Sequence, residues 1–248
     1  MDLGPDFWLF VAVGLGAQLV DGALGMAYGL LSSSILLAMG YPPATVSAAV
    51  HTAEVGTTGV SGGAHALLGN VDRRLLVRLA IPGVVGGVLG AFVLTRLPAD
   101  LIKPVVQGYL LVLAILILVR AFGRRVPSRR IRHVPVLGFF AGLLDASGGG
   151  GWGPLATSTL LAQGGTARTT IGSVNAAEFV VTLAISVTFL LSIGLQHLEI
   201  VLGLLLGGVV AAPLSAFLVR LVPERAVLFA VGFLVLGLGV HALWGQFT

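Results

Sequence analysis

The sequence contains no cysteine. That excludes disulfides, thiolate metal sites and cysteine nucleophiles. Charge is nearly as scarce: Asp, Glu, Lys and Arg make up 10% of the 248 residues, where a soluble domain has roughly 25%. Apolar residues fill the space at 56%, with a mean hydropathy of +1.03. Long apolar runs at residues 105–119 and 227–243 approach the roughly 20 residues a spanning helix needs. The chain is therefore read as an all-α polytopic membrane protein with the lipid bilayer as its partner. No Gly-x-x-x-x-Gly-Lys-Ser/Thr motif occurs, which excludes ATP drive within the chain. The metalloprotease pattern His-Glu-x-x-His is missing as well. The pI near 10.3 comes from arginines at helix ends and in one linker, where topology explains them without nucleic acid. The first six residues carry Asp2 and Asp6 but no Lys or Arg. A secretory signal starts with basic residues, so 7–20 is expected to be a retained helix.

What is present is a polar pattern written twice. Asp21 and Glu54 recur as Asp145 and Glu178 at one offset, 145−21 = 178−54 = 124. Tyr28-Gly29 matches Trp152-Gly153, Ser34 matches Ser158, and His51-Thr52-Ala53-Glu54 matches Asn175-Ala176-Ala177-Glu178. Further on the offset is 125: Ala91-Phe92 matches Ala216-Phe217, and Leu97-Pro98 matches Val222-Pro223. The pattern predicts two homologous five-helix repeats, 1–121 and 134–248, joined by a basic linker at 122–133. The pieces are expected at 7–20, 29–39, 44–68, 73–95 and 100–121, then at 134–145, 153–163, 169–192, 199–220 and 225–246. Each repeat opens with two short pieces split by glycines, Gly22-Ala23-Leu24-Gly25 in one copy and Gly148-Gly149-Gly150-Gly151 in the other. Residues 29–39 cover only about 16 Å, against a bilayer core of about 30 Å. A re-entrant hairpin, two short spans or one broken helix would each fit.

Charge orients the chain. With the arginine-rich linker cytoplasmic and the repeats inverted, both termini lie outside. Twelve of the fourteen basic residues are then inside: Arg73, Arg74, Arg78, Arg120, five linker arginines, Arg168, Arg220 and Arg225. Parallel repeats would leave nine inside and five outside, so the positive-inside rule favours inversion.

Four acids, Asp21, Glu54, Asp145 and Glu178, lie far from predicted helix ends or at the internal breaks. An ionisable group at membrane depth costs at least about 2.5–3.5 kcal/mol, so each needs a partner or a purpose. All four are candidates for proton coupling, since burial brings carboxyl groups into a range where they load and release protons. The competing reading of the two aspartates is that they cap the short helices after the breaks. His51 lies one turn before Glu54 on the same helix face, as Asn175 does before Glu178. These two are substrate-ligand candidates, with Thr58 and Thr182 adding hydroxyls, or else polar pairs that hold helices together. An anion in a membrane calls for Lys or Arg, and none is expected at depth. Backbone amides at the breaks, Gly25 to Gly29 and Gly149, Gly150, Gly151 to Gly153, can serve instead. Tyr28 and Trp152 share a repeat position there and either line the site or pack it. A metal on His51, Glu54 and His65 is disfavoured, because 14 residues separate the histidines, about 21 Å along a helix. No metal or cofactor is expected. Trp8 and Trp244 read as interface anchors.

The run Gly148-Gly149-Gly150-Gly151-Trp152-Gly153-Pro154 resembles the signature of the TauE/SafE family, also called the sulfite exporter or TSUP family. The resemblance extends over about residues 8–246. The first copy, Asp21 to Gly29, departs from it, lacking the consecutive glycines and the proline. The resemblance implies movement of a small sulfur-containing anion, such as sulfite, thiosulfate or an organosulfonate, across a bacterial inner membrane. A proton-coupled secondary transporter with a midplane site between the repeats is the leading expectation. A cation or metal transporter, or a passive anion channel, using the same carboxylates is the alternative. An intramembrane serine hydrolase built on Gly59-Val60-Ser61-Gly62 and His241 would leave the duplicated acids unexplained. Pairing with a second copy as a homodimer stays open, as do the direction of transport and the anion.

Overall fold

The computed structural model describes residue 4 and residues 6–123, 132–194, 197–218 and 224–244. The linker residues 124–131 and the chain ends at 1–3 and 245–248, which carry the topology expectations, lie outside the described residues. So do Arg220 and the Val222-Pro223 match. Among the described residues every element is helical: α1 Phe7–Leu24, α2 Tyr28–Ala38, α3 Pro43–Leu67, α4 Arg73–Arg96, α5 Ala99–Phe122, α6 Val134–Gly148, α7 Ser158–Ala162, α8 Ala167–Ile193, α9 Leu198–Leu218 and α10 Glu224–Trp244. A π-helical turn, Gly153–Thr157, runs directly into α7. Helices Arg73–Arg96 and Ala99–Phe122 and the stretch Arg168–Ile193 are long and apolar enough to cross a membrane. Large apolar side chains such as Ile81, Leu116, Leu191 and Phe233 stand exposed along α4, α5, α8 and α10. Trp8 and Trp244 are exposed near helix ends, where interface anchors belong.

The helices before the breaks run a turn further than their sequence suggests. α1 continues through Asp21 to Leu24, and α6 through Asp145 to Gly148. Each is stopped by one left-handed glycine, Gly25 at φ 65° and Gly149 at φ 68°. The amide of each donates at 2.6 Å to the backbone carbonyl of Asp21 or Asp145. Glycine takes this conformation without a Cβ penalty and closes the orphan carbonyls. Both aspartates therefore sit inside a last helical turn, not at the head of the next helix.

The short pieces are hairpins. Phe10 on α1 meets Tyr41, just beyond α2, with ring centroids 6.2 Å apart. Arg132, ahead of α6, donates its amide to Gln163, just beyond α7, at 2.7 Å. The two outer ends of each pair thus lie together, so each pair folds back on itself, as a re-entrant hairpin or two short spans would, and is not one broken helix.

Around the hairpins, α1 packs along α9, α6 along α4, α3 along α8 and α5 along α10. The first two pairings depend on glycine. A Cβ at Gly14 would fall on the Leu204 carbonyl, and a Cβ at Gly138 on the Leu79 carbonyl. These contacts are related by the repeat offsets, 138−14 = 124 and 204−79 = 125. In lipid, helices associate through such close approach. Gly14→Ala is expected to destabilise the protein by about 1–3 kcal/mol, the cost of overpacking a site that cannot yield. Gly16→Ala, on the same helix with nothing within 4 Å, should be neutral or slightly stabilising. Thermal unfolding in detergent distinguishes the two, and equal shifts would contradict the packing described.

Candidate functional site

The two breaks meet. A Cβ at Gly150 would lie on the Leu30 backbone amide and the Gly29 carbonyl carbon, and one at Gly29 would lie on the Gly149 carbonyl. Hydroxyls tie the crossing from both sides. Ser33 on α2 donates to the Gly149 carbonyl at 2.6 Å, and Thr157 donates to the Gly25 carbonyl at 3.2 Å. Donors and acceptors share the offset, 157−33 = 149−25 = 124. Ser47 on α3 adds a third tie, donating to the Ala146 carbonyl at 2.6 Å.

Asp145 organises the second break. Its Oδ1 accepts the amides of Gly151 at 2.6 Å and Trp152 at 2.9 Å. Its Oδ2 lies 3.1 Å from His51 Nε2. The carboxylate is 3% exposed and the imidazole 0%, so this is a contact wholly removed from water. The amides that the sequence offers to a substrate anion are, in this conformation, held by the chain's own carboxylate. Asp21 keeps only a trace of the arrangement: its Oδ1 accepts the Tyr28 amide at 3.4 Å, and the residue is half-buried. Both aspartates thus reach across a break, Asp21 to the first amide of α2 and Asp145 to two amides just ahead of the π-helical turn, and Asp145 does so much more tightly.

His51 does not turn to Glu54. Its ring crosses to α6, while Nδ1 faces the Ser47 carbonyl at 2.8 Å and the Ser47 hydroxyl at 3.2 Å. Glu54, 4% exposed, lies against Gly29, whose amide hydrogen-bonds it. It is within electrostatic reach of Asp145, Glu178 and Asp21. Glu178 is half-buried on α8. The four acids therefore form one cluster, although among the described residues no three His, Asp or Glu side chains converge closely enough to hold a metal. Thr58 donates to the Glu54 backbone carbonyl at 2.5 Å, which occupies the hydroxyl. Thr182 is buried with no hydrogen-bond partner among the described residues. Asn175 donates to the Ser61 hydroxyl at 2.9 Å, so the serine of the Gly-x-Ser-Gly match faces an amide, and His241 stands exposed near the end of α10.

Tyr28 and Trp152 are anchors. The Tyr28 hydroxyl donates to the Leu204 carbonyl at 2.9 Å, and the Trp152 indole to the Val174 carbonyl at 3.2 Å. Their rings fill matching recesses over Gly208 and Gly83.

Two functional candidates were missed. Tyr109 on α5 packs its ring on Gly148 and its hydroxyl on Gly151. That hydroxyl is buried without a hydrogen-bond partner among the described residues. It has no repeat counterpart, since position 234 is Leu, so nothing in the sequence pointed to it. Arg120, counted from the sequence among the cytoplasmic basic residues at a helix end, reaches back along α5. Its Nη1 donates to Ser158 at 2.8 Å and approaches the Met26 sulfur at 3.3 Å. A long side chain can carry a guanidinium inward from a helix end, so a basic group does stand beside the breaks.

A family model described as "Sulfite exporter TauE/SafE" matches residues 10–242. A relative described as "Probable membrane transporter protein YtnM", from Bacillus subtilis (strain 168), is 42% identical over 239 residues, covering 92% of this chain and 80% of the relative. No solved structure matches the chain.

Proposed function

The chain belongs to the sulfite exporter TauE/SafE family, and from that premise we propose that it is a secondary transporter of small sulfur-containing anions, coupled to protons. The relative's description as a probable membrane transporter supports transport over catalysis. The observation that carries the anion reading is the set of donors at the second break. The amides of Gly151 and Trp152 already hold an oxyanion, the Asp145 carboxylate, with the Tyr109 hydroxyl, unpartnered among the described residues, beside them. Buried amide donors aimed at a carboxylate match the tetrahedral or pyramidal oxyanions of sulfur equally well. Substrate and Asp145 then compete for the same donors, and an anion binds where the carboxylate gives way. His51, Asn175, Gly25, Tyr28, Gly149 and Gly150 shape the surrounding wall in this reading. Arg120 adds positive charge on the approach.

The paired contacts at Ser33 and Thr157, and at Gly14 and Gly138, support two inverted repeats related by a two-fold axis through the crossing. On that arrangement the linker faces the cytoplasm of a bacterial cell membrane, and the two hairpins enter from opposite sides.

The test is flux into proteoliposomes. Sulfite, thiosulfate or a small sulfonate should enter faster with an imposed pH gradient than without one. Tyr109→Phe, which deletes one donor and keeps the ring, should raise KM for the anion more than it lowers the maximal rate. Flux of none of these anions by the wild type would remove the substrate class. Flux indifferent to the gradient would point to a passive channel.

A further inference from the structure

The hydrogen positions around His51 are fixed by their neighbours. The Ser47 carbonyl, 2.8 Å from Nδ1, can only accept. The Ser47 hydroxyl, 3.2 Å from the same nitrogen, spends its hydrogen on the Ala146 carbonyl, so it too faces Nδ1 with a lone pair. Nδ1 therefore carries a hydrogen. On the other side of the ring, Nε2 stands 3.1 Å from Asp145 Oδ2. A neutral ring with its hydrogen on Nδ1 and an ionised carboxylate would set two lone pairs against each other in a water-free contact. A second proton must lie between them.

We infer that His51 and Asp145 together form the proton-carrying site of the transporter, holding one exchangeable proton between Nε2 and Oδ2 across the junction of α3 and α6. This rests on the transport reading above and deepens it. The proton leaves to water, and the pair is left as a neutral imidazole with hydrogen on Nδ1 and an aspartate carboxylate. Those two groups no longer bond, so proton loss unties α3 from the second hairpin, while Asp145 keeps its charge on the Gly151 and Trp152 amides. Proton gain restores the tie and weakens the carboxylate as a rival to an anion at those amides. Proton and anion thereby bind in the same state.

Glu54 from α3, Tyr109 from α5 and Glu178 from α8 lie within electrostatic reach of Asp145, while Asp21 from α1 and Tyr28 from α2 face Glu54. The buried positions of α4 are all apolar or glycine. The repeat counterpart cannot do the same work, because Asn175 stands where the second repeat would need a histidine to face Asp21. The chain therefore carries one such site, not two. Phe189 lies against the His51 ring, with centroids 6.3 Å apart. It also lines a small pocket with Ala48, Thr52, Leu190 and Val201, so the ring against His51 borders that opening too.

The test uses the full chain in lipid nanodiscs with 15N-labelled histidine, read by NMR between about pH 5 and 9, the span in which histidine and shifted carboxyl groups titrate. His51 should keep hydrogen on Nδ1 throughout and lose its Nε2 proton contact in one step. Asp145→Asn supplies an amide N–H to Nε2 and still caps the break, so the step should vanish while the protein stays folded. In proteoliposomes the same variant should lose the acceleration by a pH gradient. His51→Gln, which keeps a polar group and cannot titrate, should lose it too. A hydrogen on Nε2 with none on Nδ1, an absent step in the wild type, or gradient-driven flux surviving in both variants would overturn the assignment. Failure of the wild type to move any sulfur anion would count against the substrate reading instead, because the NMR step needs no substrate.

Discussion

Gly150→Val is expected to leave no properly folded protein in the membrane. The new Cβ would land on the Leu30 amide and Cα and on the carbonyl carbon of Gly29. All three are backbone atoms of the opposing hairpin. Overpacking costs about 1–3 kcal/mol where side chains can move aside. Here the neighbour is held by the Ser33 and Thr157 hydrogen bonds, and its own Gly29 is pressed on the Gly149 carbonyl. The cost therefore lies above that range, against a total stability of about 5–15 kcal/mol for an ordinary domain. Gly108→Val on α5, where a Cβ meets nothing within 4 Å, controls for the loss of glycine itself. Size-exclusion profiles of fluorescently tagged protein should show a monodisperse peak for the control and aggregate for Gly150→Val. A well-behaved Gly150→Val would mean that the two hairpins do not cross at this point.

The crossing shows what a single sequence reveals and what it hides. The ten helical pieces could be read because each is an apolar stretch, long or short, bounded by glycine, proline or charge, and that signal is local. The breaks were visible for the same reason, through Asp21 with Gly25 and Asp145 with Gly149. The small error at α1 and α6 is physical as well: an acid in an apolar run looks like a helix end, whereas the left-handed glycine a few residues later is the real stop. Contacts between distant residues left no local trace. Spacing placed His51 beside Glu54, three residues away on one helix face, yet its ring pairs with Asp145, 94 residues away. The amides of Gly151 and Trp152 looked free because a sequence shows no carboxylate folding back over its own helix end. Ser33 and Thr157 could have been found, since they share the 124-residue offset with the acids. They were passed over because small hydroxyl residues are common in membrane helices and a serine–threonine match is weak by itself.

Asp145→Ala and Asp21→Ala are expected to differ sharply, although the two residues hold equivalent repeat positions. Removing the Asp145 carboxylate orphans the buried amides of Gly151 and Trp152 and leaves His51 without its Nε2 partner. Each unsatisfied buried donor costs about 1–3 kcal/mol, and breaking a buried charged or proton-sharing pair costs about 3–5 kcal/mol. These terms overlap, so a loss of roughly 3–5 kcal/mol is the expected total. Asp21 forfeits a single long bond of 3.4 Å from a half-buried position, and its loss should cost less than about 1 kcal/mol. The midpoint of thermal unfolding in detergent should therefore fall steeply for Asp145→Ala and little for Asp21→Ala. Asp145→Asn should lie close to wild type, because an amide oxygen still accepts from Gly151 and Trp152. If all three variants unfolded alike, the tight grip of Asp145 on the second break would not be what holds the hairpin closed. If Asp145→Asn fell as far as Asp145→Ala, the charge itself, and not its hydrogen bonds, would be the stabilising element.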